Sequence, residues 1–119
     1  MKTVKMRLND KPFFQIKNGE KRVEVRLFDE KRKLLCVGDF LLFTHRESGE
    51  ALLTEIVGLH TYPTFSEWAK DEKIFPQCGF GKKSGEEAIQ EMYTYYSPSE
   101  EALYGVLAIE LKVWKEEKK

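Results

Sequence analysis

Nothing in this chain of 119 residues approaches the roughly 20 consecutive apolar residues needed to cross a bilayer. The stretch Met1 to Leu8 carries charge but no apolar signal-peptide core, so a cytoplasmic address and no membrane contact are expected. An excess of one charge is lacking too: 20 Lys+Arg against 20 Asp+Glu give a formal net charge of +0. A balanced total excludes general attraction to nucleic acid or an anionic membrane, so any polyanion contact must come from a local patch. Cysteine and histidine are scarce, with two of each. Without a secretion signal, Cys36 and Cys78 are expected as free thiols rather than a disulfide. A zinc site would need Cys36, His45, His60 and Cys78 to converge, and no close pair among them has ligand spacing. No metal or cofactor is therefore expected. No serine sits in a nucleophile elbow and neither histidine has an evident acid partner, which argues against a catalytic triad.

What is present is a globular composition, 41% hydrophobic and 34% charged, of a length that fits one domain over 1–119 with one core. Lys5 to Leu8 reads as a first strand. A helix over Lys11 to Asn18 follows, capped by Asn9 or Asp10, with Pro12 in its first turn and Gly19 at its left-handed end. Arg22 to Phe28 alternates as a strand. Asp29 to Lys33 reads as one helical turn, Gly38-Asp39 as a bend, and Phe40 to Thr44 as an apolar strand covered on both faces. The turn Glu47 to Glu50 returns the chain into a strand over Ala51 to Leu59. Thr64 with Glu67 forms a capping box for a short helix. Ser84 caps a helix to Tyr95, Ser97-Pro98 stops it, and Gly105 to Trp114 is a last strand before a charged tail, Lys115 to Lys119, expected to fray. These elements predict an α+β fold, a small mixed or antiparallel β-barrel of about five or six strands with three short helices. Most of the helical sequence lies before the last strand and would wall a cleft.

The stretch Gly19 to Arg26 organises the rest. Val23, Val25 and Leu27 point one way and Glu24 and Arg26 the other. Two readings compete. Glu24 and Arg26 are the solvated side of an antiparallel strand, or they join Lys21 in a cluster that handles anions and amides. In such a cluster a desolvated Lys21 would act as a neutral base with a carboxylate shuttling the proton, or stay charged and grip a phosphate beside the Arg26 fork. Gly79 to Gly85 fails the phosphate-loop motif because Lys83 follows Gly81-Lys82. It remains a loop with two lysines before a helix, either touching ligand or merely mobile. Tyr93 is expected in the core; Tyr95 and Tyr96 either stack a base or close the helix against the barrel.

Pro12-Phe13, Ile16, Gly19, Lys21, Glu24 and Arg26 resemble the Gly-x-Lys-x-x-Glu-x-Arg signature of the ASCH (activating signal cointegrator homology) domain. Leu27 with Asp29, Lys31 and Arg32 agrees in order, as do Val37-Gly38-Asp39, Tyr95-Tyr96-Ser97, Glu100, Tyr104-Gly105-Val106 and Ala108-Ile109. The chain is similar to the stand-alone bacterial members. The resemblance implies a PUA-like barrel whose signature residues line a cleft, and RNA or a nucleotide as partner. On that footing Lys21 and Arg26 would contact phosphate, Glu24 would accept from a base amino group, Tyr95 or Tyr96 would stack, and Glu100 would orient the cations. Arg32 and Ser97 join this ligand-binding set. The family also implies a hydrolase alternative, acting on RNA or a modified nucleoside such as N4-acetylcytidine, with Lys21 and Glu24 catalytic. In the amidohydrolase members a threonine stands where this chain has Glu24, which removes the hydroxyl nucleophile.

Overall fold

The computed structural model describes residues 1–114, so the expected fraying of Lys115 to Lys119 lies outside the described residues. The elements are β1 (Thr3–Leu8), α1 (Asp10–Asn18), β2 (Val23–Leu27), β3 (Phe40–His45), β4 (Ala51–Tyr62), α2 (Phe65–Ala69), α3 (Gly85–Met92), α4 (Pro98–Tyr104) and β5 (Val106–Val113). Single 3-10 turns occur at Arg32–Leu34 and Phe75–Gln77. The five strands lie in the order β1-β3-β4-β5-β2, with β1 parallel to β3 and the other pairs antiparallel. They curl into a half-barrel rather than a closed ring, an α+β fold with four short helices where three were expected. The fourth, α4, lies where Ser97 or Ser99 is expected to open only a further turn through Glu100, Glu101 and Leu103. Ser97 and Glu100 cap it reciprocally and Pro98 occupies its first turn, where the missing N–H costs nothing.

Local chemistry sets most boundaries. Gly19 takes φ 88° and its N–H closes α1 on the Ile16 carbonyl, a conformation that other residues adopt at a cost. Asn9 stands at the helix start without donating or accepting a side-chain cap bond. Ser84 and Glu87 cap α3 reciprocally, but α3 ends at Met92, short of the expected Tyr95. Thr64 accepts from the Glu67 N–H at 3.1 Å, half of the expected box. β4 runs three residues past Leu59, with a register shift between Ile56 and Gly58. β3 is not covered on both faces: Leu41, Phe43 and His45 are buried while Phe40, Leu42 and Thr44 are only half-buried.

β5 divides the interior. Leu107, Ile109 and Leu111 join Phe13, Ile16, Leu41, Phe43 and Ile56 in a cluster under α1. Val106 and Ala108 face the opposite way, into a cluster with Val23, Val25, Leu27, Phe65, Trp68 and Met92 beneath α2 and α3. Two apolar clusters therefore flank the sheet where one core was expected. The cause is a strand buried on both sides: Val106 through Ile109 are each at most 1% exposed. Burying one such aliphatic side chain stabilises the fold by about 1.5–3 kcal/mol.

Candidate functional site

Residues directly opposite in an antiparallel ladder share a face. Glu24 pairs with Ile109 and Arg26 with Leu107, so both charged side chains enter the concave side beneath α1, at the free edge of the half-barrel. They are not a solvated strand face. Glu24 is 5% exposed, with Lys21 Nζ at 2.7 Å from Oε1 and Arg26 Nε at 2.8 Å from Oε2. Burial alone would raise the Glu24 pKa; the charges and hydrogen bonds of Lys21 and Arg26 outweigh it and hold the carboxyl below its ordinary 4.5. Burial likewise opposes the Arg26 charge, and Glu24 with Tyr96 nearby more than restores it. Arg26 Nη2 also reaches the Arg7 carbonyl of β1, the opposite edge of the sheet, at 3.4 Å. One guanidinium thus spans the open seam.

Lys21 is set by its backbone and a glycine. Its N–H donates to the Gln15 carbonyl at 3.0 Å, and the Arg22 N–H to the Gln77 carbonyl at 2.9 Å. Gly79 takes φ +85°, and a Cβ there would come within 2.8 Å of Gln15 Oε1 and 3.0 Å of Lys21 Cδ. That close approach requires glycine, and Gln15 Nε2 donates to the Gly79 carbonyl at 3.1 Å to hold it. The Lys21 stem is clamped between helix and loop.

The three groups floor a cleft of about 410 Å³, walled by the start of α1, residues 78–80 and the end of α3 with Tyr95 and Tyr96. Five cationic side chains line it, Arg7, Lys11, Lys21, Arg26 and Arg46, against two carboxylates, Glu24 and Glu91. Glu91 is itself ion-paired to Lys83. A chain of zero net charge therefore concentrates positive charge in one concavity. Tyr95 is 62% exposed on the rim. Tyr96 lies nearly parallel to Phe65, 20° between planes at 6.1 Å, and burial raises its hydroxyl pKa against the pull of Arg26. Cys78 lines the cleft, but burial pushes its thiol up to about 12, so it is protonated near neutrality and no nucleophile.

Other expected site residues fall elsewhere. Arg32 pairs with Asp29 at 2.8 Å and does not line the cleft. Ser97 and Glu100 use their side chains to cap α4, and Glu100 makes no ion pair among the described residues. The Gly79–Gly85 loop contributes only Gly79 and Phe80 to the cleft wall; Phe80 is wedged against Trp68 and Phe75, and Lys83 is tied to Glu91. Both histidines have acid partners, contrary to the sequence reading: His45 Nε2 meets Asp10, and His60 Nε2 meets Glu110. Neither pair contributes to the cleft lining: His45 and Asp10 join the end of β3 to the start of α1, and His60 and Glu110 join β4 to β5. Among the described residues no group of three or more His, Cys, Asp or Glu could hold a metal ion. Sequence reasoning missed Glu101, 6% exposed, whose carboxylate accepts from the Phe65 N–H at 2.6 Å and the Tyr93 hydroxyl at 2.7 Å. It positions the aromatic wall, as Phe65 carries Tyr96. A glutamate following a helix-capping pair at an inward position was the available signal.

Comparison with known proteins bears on the family and the fold. The family model described as "ASCH domain" matches residues 6–115. The crystal structure of hypothetical protein PH0355 is similar at 35% identity over 96% of this chain and 100% of that one, with a TM-score of 0.83. The solution NMR structure of protein PF0455 from Pyrococcus furiosus shares 32% identity over 96% and 99%, with a TM-score of 0.74. An ASCH domain from Lactobacillus crispatus JV V101 shares the fold at 17% identity over 94% and 79%, with a TM-score of 0.64. Among curated proteins, none matches.

Proposed function

The chain belongs to the ASCH domain family, a PUA-like family suggested to bind RNA, and on that premise we propose that its cleft holds a nucleotide or a short single-stranded RNA segment. One observation carries the reading: a buried carboxylate is used to fix an ammonium and a guanidinium side by side at the floor of a concavity whose rim bears further cations and an exposed tyrosine. Paired cations at fixed spacing suit phosphate oxygens. Tyr95, free on the rim, suits the face of a base. Both Glu24 oxygens are already engaged, so Glu24 serves as the anchor of the two cations rather than as the acceptor for a base amino group.

Hydrolysis of a modified nucleoside or RNA by Lys21 and Glu24 draws less support. A half-buried amine beside a buried carboxylate is the arrangement such a reaction would use. Yet Glu24, held below its ordinary pKa, has no proton to give near neutrality. A thermal-shift screen of nucleosides, nucleotides and oligonucleotides decides the matter. Phosphate-bearing ligands should raise Tm, and Lys21→Ala should abolish the shift; no response from any of them would end the binding reading. Product formation from N4-acetylcytidine, lost in Lys21→Ala, would establish the hydrolase instead.

A further inference from the structure

We infer that the ligand of the cleft is a nucleoside diphosphate, whose second phosphoryl group is taken by Lys11 and Arg46. The inference rests on the nucleotide-binding reading and deepens it, from a nucleotide in general to one carrying two linked phosphates. Lys21 and Arg26 share the single carboxylate of Glu24, so the floor of the cleft carries one net positive charge. A terminal phosphate carries about −1.5 to −2 near neutrality, and that floor does not balance even one. Lys11 and Arg46 also line the cleft; both are exposed, and neither makes an ion pair among the described residues. The acids next to them in sequence, Asp10 and Glu47, do not line the cleft, and Asp10 is taken by His45. Glu91, the other carboxylate of the lining, is engaged by Lys83. Arg7 aside, three net positive charges therefore face one concavity, which exceeds what a monophosphate balances and fits a diphosphate.

Two contacts bring Lys11 and Arg46 to the same corner. The Arg46 N–H donates to the Leu8 carbonyl at 3.0 Å, and the His45–Asp10 pair fastens the end of β3 to the first turn of α1, which carries Lys11. That corner adjoins the floor, because Arg26 Nη2 reaches the carbonyl of Arg7, the residue before Leu8, at 3.4 Å. Successive residues of a strand stand about 3.3 Å apart, so cations anchored on Arg7 and Leu8 suit neighbouring phosphoryl groups better than phosphates at two ends of a sugar. The wall formed by residues 78–80 and the end of α3 presents Phe80, Met92, Tyr95 and Tyr96, and no cation lines it. The diphosphate therefore lies toward the start of α1 and the base toward the end of α3.

The test is calorimetric titration of the full chain with adenosine mono- and diphosphate and their cytidine counterparts, without divalent cations. Each diphosphate should bind about tenfold or more tighter than its monophosphate at low salt, because the added phosphate gains charge-assisted hydrogen bonds. The margin should shrink as salt is added. In Lys11→Ala/Arg46→Ala it should vanish, whereas the charge-keeping Lys11→Arg/Arg46→Lys should retain most of it. Both positions are exposed, so urea melts of the two variants should match wild type. A diphosphate no tighter than its monophosphate, or a margin that survives in the double alanine variant, overturns the inference while leaving nucleotide binding in place. An adenosine bisphosphate with its phosphates on different ribose carbons, binding as tightly as the diphosphate, would show that total charge suffices and overturn it too. Inorganic pyrophosphate matching the diphosphate would do the same. A short RNA with a terminal diphosphate outbinding the free nucleotide would support the diphosphate site and assign it to an RNA end. Failure of every nucleotide to bind wild type removes the functional reading and the inference with it.

Discussion

Glu24 and Glu101 are buried to nearly the same degree, 5% and 6% exposed, but their partners differ in kind. Glu101 faces a main-chain N–H and a tyrosine hydroxyl, and those two donors fasten α4 to the start of α2 and to the end of α3. Glu24 faces two full positive charges, each with its side chain partly open to the cleft, 12% and 17% exposed. A carboxylate that only holds helices together needs donors, and neutral ones suffice. Gathering two cations around one buried acid costs more desolvation than packing requires. The surplus positive charge at the cleft is what that cost leaves behind.

The sharpest way to break this comparison is to remove each acid. Glu24→Ala leaves two cations uncompensated and should destabilise the fold by about 3 kcal/mol, near the low end for buried ion pairs because both cations keep some solvent. Urea melts measure it. Glu101→Ala strands two buried donors and should cost about 2 kcal/mol, with Tyr93→Phe adding little on top of it. Acid separates the two further. The folded pKa of Glu24 lies below its ordinary 4.5, so its stabilisation is complete above that pH and disappears as pH falls through the lowered value. The stability gap between wild type and Glu24→Gln should therefore narrow below about pH 4.5; a gap that widens there would contradict the cation-paired carboxylate. The smallest effect on folding belongs to the rim: Tyr95→Ala should change stability by less than about 0.5 kcal/mol. The same variant should weaken a base-bearing ligand about tenfold, within the range for one stacked base, and leave inorganic phosphate unaffected.

Legibility in the sequence follows the range of the interactions. Lys21, Glu24 and Arg26 lie within six residues, so a local pattern displays them together. The alternation Val23, Val25, Leu27 identifies an apolar face but says nothing of what covers the other one. Only the pairing of Glu24 with Ile109 and the roof of α1 decide that. The same limit hid the acid partners of His45 and His60 and the cleft cations Arg7, Lys11 and Arg46, which arrive from separate segments. Capping pairs were legible because they span three residues. Ser97 and Glu100, read as ligand contacts through the family pattern, follow that local rule as well. The continuous run in β3 misled because hydrophobicity alone does not report that one face of an antiparallel strand stays half-open.

The span from Arg26 to the Arg7 carbonyl would tie occupancy of the proposed site to the facing edge of the sheet, where Arg7 also lines the cleft. Whatever draws the guanidinium toward the cleft loosens β1, and whatever steadies it there protects β1, by the same free energy in both directions. If the proposed ligand binds, amide exchange along Thr3–Leu8 should report it, read from a strand of which only Arg7 and Leu8 line the cleft.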